Sequence, residues 1–135
     1  MKRKLCLGLS FLALFVSAIS FVNWRQAVRA DEKSKLLRHV VLFNFKDELS
    51  KDEVKEVVDA FRGLPSKIDK IEDFEWGTDV SVENKAAGFT HCFVVTFATT
   101  EGRTVYLPHP AHKEFVSLVG PRLEDVLVVD FWVKN

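Results

Sequence analysis

The chain has 135 residues, and its 19 lysines and arginines balance 19 aspartates and glutamates. The balance is uneven: residues 1–30 hold five of the basic residues and none of the acidic ones, leaving 14 basic against 19 acidic residues, a net charge of −5, in the 105 that follow. That stretch has no basic stripe to neutralise phosphates, which argues against a nucleic-acid partner, and its one cysteine, Cys92, excludes an internal disulfide.

The N-terminus has the three parts of an export signal. Lys2, Arg3 and Lys4 precede an apolar run from Leu5 to Val22, and Val28-Arg29-Ala30 places small residues where a signal peptidase cuts. This predicts a signal peptide over 1–30, a short linker over 31–36 and a single domain over 37–133, exported to the periplasm or the exterior. The alternative is an uncleaved membrane anchor at residues 5–22, because a run of 18 residues is near the lower limit for spanning a bilayer. The protein contacts a membrane only in that second case.

Leu37–Phe45 alternates as a strand, with His39, Val41, Phe43 and Phe45 on one face. Ser50-Lys51-Asp52-Glu53 is a capping box. Behind it, Val54, Val57, Val58 and Phe61 form the stripe of an amphipathic helix that Gly63 and Pro65 end. Ile68–Thr78 holds a second strand bearing Phe74 and Trp76, and the polar stretch Ser81–Gly88 is a loop. His91–Ala98 is a third strand, with His91, Phe93, Val95 and Phe97 on one face. Thr100–Leu107 makes a helical turn that Pro108 interrupts. Pro110 suits the first position of a new helix, ended by Gly120-Pro121. Val126–Val133 is the last strand.

The order β-α-β-β-α-β predicts an α+β, ferredoxin-like subunit, a four-stranded antiparallel sheet with its helices on one face. Both faces of the first, third and last strands are apolar, as in sheets covered on both sides. Two helices cover only one face, so the second is expected to pack on another copy in a homodimer.

All four histidines, His39, His91, His109 and His112, follow the export signal. In Tyr106-Leu107-Pro108-His109-Pro110-Ala111-His112, two prolines hold the backbone around a tyrosine and two histidines, a rigidity suited to a functional site. His112 shares a helix face with Phe115 and Val119 and should point inward, where an imidazole can act as a general base. Tyr106 could give a hydrogen bond to a substrate oxygen. Asp130, polar in an apolar strand, needs a partner and could hold the His112 tautomer from behind. His109 reads either as a helix cap or as a ligand-binding residue, and His39 and His91 either as core or rim histidines or as pocket residues. No cofactor is implied. A metal site is not expected, since His109 and His112 lack the further ligands such a site needs. Cys92 reads as an inert core thiol, and Trp76 and Trp132 as core aromatics.

Taken together, Leu37-Arg38-His39-Val40-Val41-Leu42-Phe43 with Phe45-Lys46-Asp47, Trp76-Gly77-Thr78-Asp79-Val80, Phe89-Thr90-His91 leading into Val95-Thr96-Phe97, His109-Pro110-Ala111-His112 and Val129-Asp130-Phe131 form an ordered set. With it the chain resembles the stress-responsive A/B barrel (Dabb) family over about residues 37–133. The resemblance implies a ferredoxin-like subunit, sheets paired face to face in a dimeric α+β barrel, and a pocket between sheet and helices. One plant member of the family closes a linear polyketide with a tyrosine and a histidine that match Tyr106 and His112. Its pocket histidines match His39 and His91, and the aspartate behind its catalytic histidine matches Asp130. The expected function is therefore an exported small-molecule-binding domain with no assigned reaction. The alternative is a general-base enzyme of cyclase or lyase type, acting on a carbonyl or polyketide-like substrate with His112, Tyr106 and Asp130 as its catalytic groups.

Overall fold

The computed structural model describes residues 36–134. The proposed signal peptide and nearly all of the linker lie outside the described residues. Among those described, no helix is long and apolar enough to cross a membrane.

Alternating apolar residues form β1 over Leu37–Phe45, where every second side chain is buried, beginning with Leu37. The capping box operates at the start of α1 (Lys51–Arg62): the Ser50 side chain accepts from the Glu53 amide, and the Glu53 carboxylate accepts from the Ser50 amide. Val57, Val58 and Phe61 are its buried stripe. A 3₁₀ turn at Leu64–Ser66 follows, with Pro65 inside it.

The second strand is shorter than its apolar content suggests. β2 covers Asp73–Thr78, and Ile68 lies ahead of it in the connection, fully buried. An isoleucine whose backbone pairs with no strand can still fill the core from a loop, so composition alone overextends the strand. β2 leads through the 79–90 loop to β3 (His91–Phe97). Gly88 is needed in that loop. Its φ is +87°, and a Cβ there would sit 2.7 Å from the Asn44 amide nitrogen.

After β3, Thr99 caps α2 (Thr100–Tyr106), which has seven residues and so runs beyond the single turn expected. His109 caps α3 (Pro110–Val119), with Pro110 at its first position. A 3₁₀ turn at Gly120–Arg122 feeds β4, which begins at Leu123, three residues earlier than the β-branched run suggests, and ends at Trp132.

The strand order is β2-β3-β1-β4, all antiparallel, which is the ferredoxin-like arrangement. Leu37, Val41, Phe43, Phe93, Val95 and Phe97 meet Val57, Phe61, Phe115 and Val119 of the helices in one core. At its centre Phe61 lies 4.6 Å from Phe93 and 4.5 Å from Phe115, ring centre to ring centre, the range in which aromatic pairs attract beyond simple burial.

The opposite face is also apolar, with Val40, Leu42, Val94, Leu127, Val129 and Phe131 in register across β3, β1 and β4. Within one subunit nothing described covers it, and Leu127, Val129 and Phe131 are about half exposed. Trp76 and Trp132 are not core residues in the subunit: each is 43% exposed. Both lie on edge strands, where alternation assigns a face but does not supply a covering element. Trp76 is flanked by Phe93 on one side and by the Arg62 guanidinium, 5.9 Å from the centre of its ring.

Candidate functional site

On the inner sheet face a cavity of about 430 Å³ is lined by residues of β1, β4, α2 and α3, with Phe61 of α1. Its walls are mostly apolar, built from Val41, Phe43, Phe115, Val116, Val126 and Val128 among others. The polar groups gather at one end: His39, Tyr106, His112 and Asp130. A concave apolar site with a few convergent polar groups is the common form of a small-molecule pocket.

Tyr106 and His112 come together as the Pro-rich segment suggests. Leu107 and Pro108 turn the chain between α2 and α3, and the two rings stand 4.3 Å apart, centre to centre. His112 Nδ1 lies 2.9 Å from the Leu107 carbonyl oxygen, so Nδ1–H donates and Nε2 keeps its lone pair. Burial lowers the His112 pKa below 6.5, outweighing the opposing Leu107 bond, and nearby His39 and His109 push it the same way. The imidazole is therefore neutral, and available as a base, over a wider pH range than an ordinary histidine. The Tyr106 hydroxyl is completely buried and has no hydrogen-bond partner among the described residues. Burial pushes its pKa far above the usual phenol range, so it is a donor and not a phenolate.

Asp130 does not stand behind His112. It lies directly across the β1–β4 ladder from His39, and its Oδ1 accepts from His39 Nδ1 at 2.6 Å. The other carboxylate oxygen is held by Arg103. His112 is oriented by a backbone carbonyl instead, because the turn before α3 delivers Leu107 to its ring first. His39 is buried, its ring edge-on to Tyr106 at 5.8 Å.

His91 is not in this cavity. It sits opposite Phe43 and Thr78 at the far end of the sheet, with Nδ1 2.9 Å from the Thr90 hydroxyl and its ring parallel to Phe93. Four residues of β1 separate its position from that of His39, and strand rise turns that spacing into roughly 13 Å. His109 takes its capping alternative, accepting the Ala111 amide at 3.2 Å, and does not line the cavity. Cys92 lies on the outer face, and partial burial raises its pKa so that it stays a thiol. Among the described residues no group of three or more His, Cys, Asp or Glu side chains comes together to hold a metal.

Arg103 is the site residue that sequence reasoning passes over. Its signal is its place one helical turn before Tyr106, but an arginine on a short helix has many possible acidic partners, and only strand pairing selects Asp130.

Acid sensitivity follows from the buried rings. Folding lowers the pKa of both His91 and His112 by desolvation, so the unfolded chain binds the extra protons first as pH falls. Their contribution to stability is fully present above about pH 6.5, the ordinary histidine value, and declines below it. The denaturation midpoint should therefore fall between pH 7 and pH 5, and His112→Gln should reduce the slope. An unchanged slope in that variant would remove His112 as a cause.

A ferredoxin-like subunit with one apolar sheet face open and a tyrosine–histidine pair in a cavity defines a class of α+β barrel subunits. The chain belongs to the stress-responsive A/B barrel domain family, whose sequence model matches residues 37–133. It is 38% identical over 101 residues to the stress-response A/B barrel domain-containing protein HS1 of Arabidopsis thaliana, covering 75% of this chain and 93% of that one. It is 33% identical over 95 residues to the olivetolic acid cyclase of Cannabis sativa, covering 70% and 94%. Among solved structures, a hydroxynitrile lyase from Passiflora edulis matches with a TM-score of 0.72 and 25% identity, covering 76% of this chain and 96% of that one. A protein from Thermobifida fusca, described as dimeric and ferredoxin-like with unknown function, matches with a TM-score of 0.63 and 27% identity, covering 72% and 90%.

Proposed function

We propose that this chain is an exported homodimer that binds a small, mostly apolar molecule, with an oxygen of that molecule taking the hydrogen bond of the Tyr106 hydroxyl. The observation that carries this reading is that hydroxyl: a fully buried donor without a partner among the described residues, at the polar end of an apolar cavity. A buried polar group left unpaired is costly, and a ligand oxygen removes the cost. The signal-like residues 1–30 support export, and the uncovered apolar sheet face supports pairing. So does the dimeric state described for the Thermobifida fusca protein.

A second reading, general-base catalysis on a carbonyl compound, is favoured by the free Nε2 of His112 beside that hydroxyl. In it His112 takes a proton next to the carbonyl and Tyr106 steadies the oxygen as charge develops. The cyclase and lyase activities named for two similar proteins fit this chemistry.

Native mass spectrometry of the purified protein tests the first reading. Two subunits carrying a retained small molecule are expected, and Tyr106→Phe should retain less of it. A monomer would overturn the dimer, and equal retention by both proteins would overturn the role of the hydroxyl. For the second reading, His112→Ala should abolish turnover of a carbonyl substrate while leaving the dimer intact.

A further inference from the structure

Among the described residues Asp130 is the only acidic side chain lining the cavity, and both of its oxygens are engaged by basic groups from two other elements. His39 of β1 donates from Nδ1 to one oxygen, and Arg103 of α2 donates to the other. Arg103 itself does not line the cavity. The carboxylate is partly buried and sits on the edge strand, with no further strand among the described residues beyond it to hold its orientation.

The chemistry of the pair depends on the third member. A carboxylate alone against an imidazole can be neutralised by a proton on the ring, which makes both ring nitrogens donors and leaves no base. A guanidinium is always charged and supplies that positive charge permanently. The imidazole then needs only one proton, on Nδ1, where the carboxylate accepts it. Nε2 keeps its lone pair, and no partner for it is found among the described residues. The other titratable groups facing this end of the cavity are Tyr106 of α2 and His112 of α3. Neither is anionic, so neither substitutes for Asp130 nor competes for Arg103.

We propose that Arg103 is a positioning residue for the cavity: through Asp130 it holds His39 as the neutral Nδ1–H tautomer, so that a second imidazole beside His112 presents an unprotonated Nε2. The inference rests on the proposed reading in one respect only, that the cavity is the working site. It makes the polar end a two-imidazole site in which His112 is set by a backbone carbonyl and His39 by a salt-bridged carboxylate. Because each free Nε2 accepts, a ligand with two O–H or N–H donors, or two acidic hydrogens, fits that pair better than one with a single such group.

The test needs no ligand. Nitrogen-15 spectra of the labelled protein at neutral pH distinguish the two neutral histidine tautomers from the imidazolium. The expected result is an Nδ1–H pattern for His39 in the native protein, lost in Arg103→Gln and recovered in Arg103→Lys, with the His112 pattern unchanged in all three. An identical His39 pattern in native protein and Arg103→Gln would overturn the proposal. If Arg103→Gln fails to fold, Arg103→Leu keeps the stem and removes the charge, and the same comparison applies. If neither variant folds, Arg103 is a structural residue and the proposal is lost. Failure of ligand binding would leave these spectra untouched, so the two readings fail separately.

Discussion

Truncating Phe61 to alanine is expected to cost about 3–5 kcal/mol, the usual range for a phenylalanine removed from a packed core. Phe61 is 1% exposed and is the aromatic at which the layers meet: it touches Phe43 and Phe93 of the sheet, Phe74 of the edge strand and Phe115 of α3. It also forms part of the cavity wall, so its loss joins a new void to an existing one and the surroundings have little to collapse onto. In a domain whose total stability is on the order of 5–15 kcal/mol, such a loss removes a large share. The thermal midpoint should fall by at least about 12 °C, and Phe61→Leu, which keeps most of the volume, should lose much less. Chemical denaturation of both variants measures this, and a cost below about 1 kcal/mol for the alanine would show that the aromatic cluster is not the centre of the fold.

The Tyr106→Phe variant should move stability and binding in opposite directions. The hydroxyl has no partner among the described residues, so removing it leaves no orphaned group there and should raise the stability of the ligand-free protein by about 1 kcal/mol. The ring stays, and with it the contacts to Phe97 and His112. A ligand that accepts from the hydroxyl loses that bond, so its affinity should fall about tenfold, the equivalent of roughly 1.4 kcal/mol. Under the enzymatic reading the loss is larger, about 10²–10³ in rate, because the bond strengthens as charge develops on the oxygen. Calorimetric melting of the free protein and titration with the molecule it retains read the two effects independently. Lower stability together with unchanged affinity would mean that the hydroxyl is satisfied internally and faces no ligand.

Local features were legible because their causes are local. The Ser50–Glu53 box lies within one turn, the stripe of α1 within three, and the break around Pro108 and Pro110 is imposed by the proline ring itself. Alternation along β1 and β3 correctly named the buried face of each strand, including His39. It could not show that Trp76 and Trp132 lie on edge strands, since exposure there depends on which strands are neighbours.

The order of elements, the α+β class and the inward histidine of α3 were thus determined by the sequence itself, because periodicity, capping and proline geometry act over a few residues. Where Ile68 belongs, where β4 begins and which residue Asp130 serves were decided only by the tertiary structure. The Asp130–His39 bond joins residues 91 positions apart, and its existence depends on the register of one edge strand. A shift of that register by a single residue would turn Asp130 to the opposite sheet face. The Arg103–Asp130–His39 chain depends on it in turn, because three separate elements meet there only when the sheet has closed.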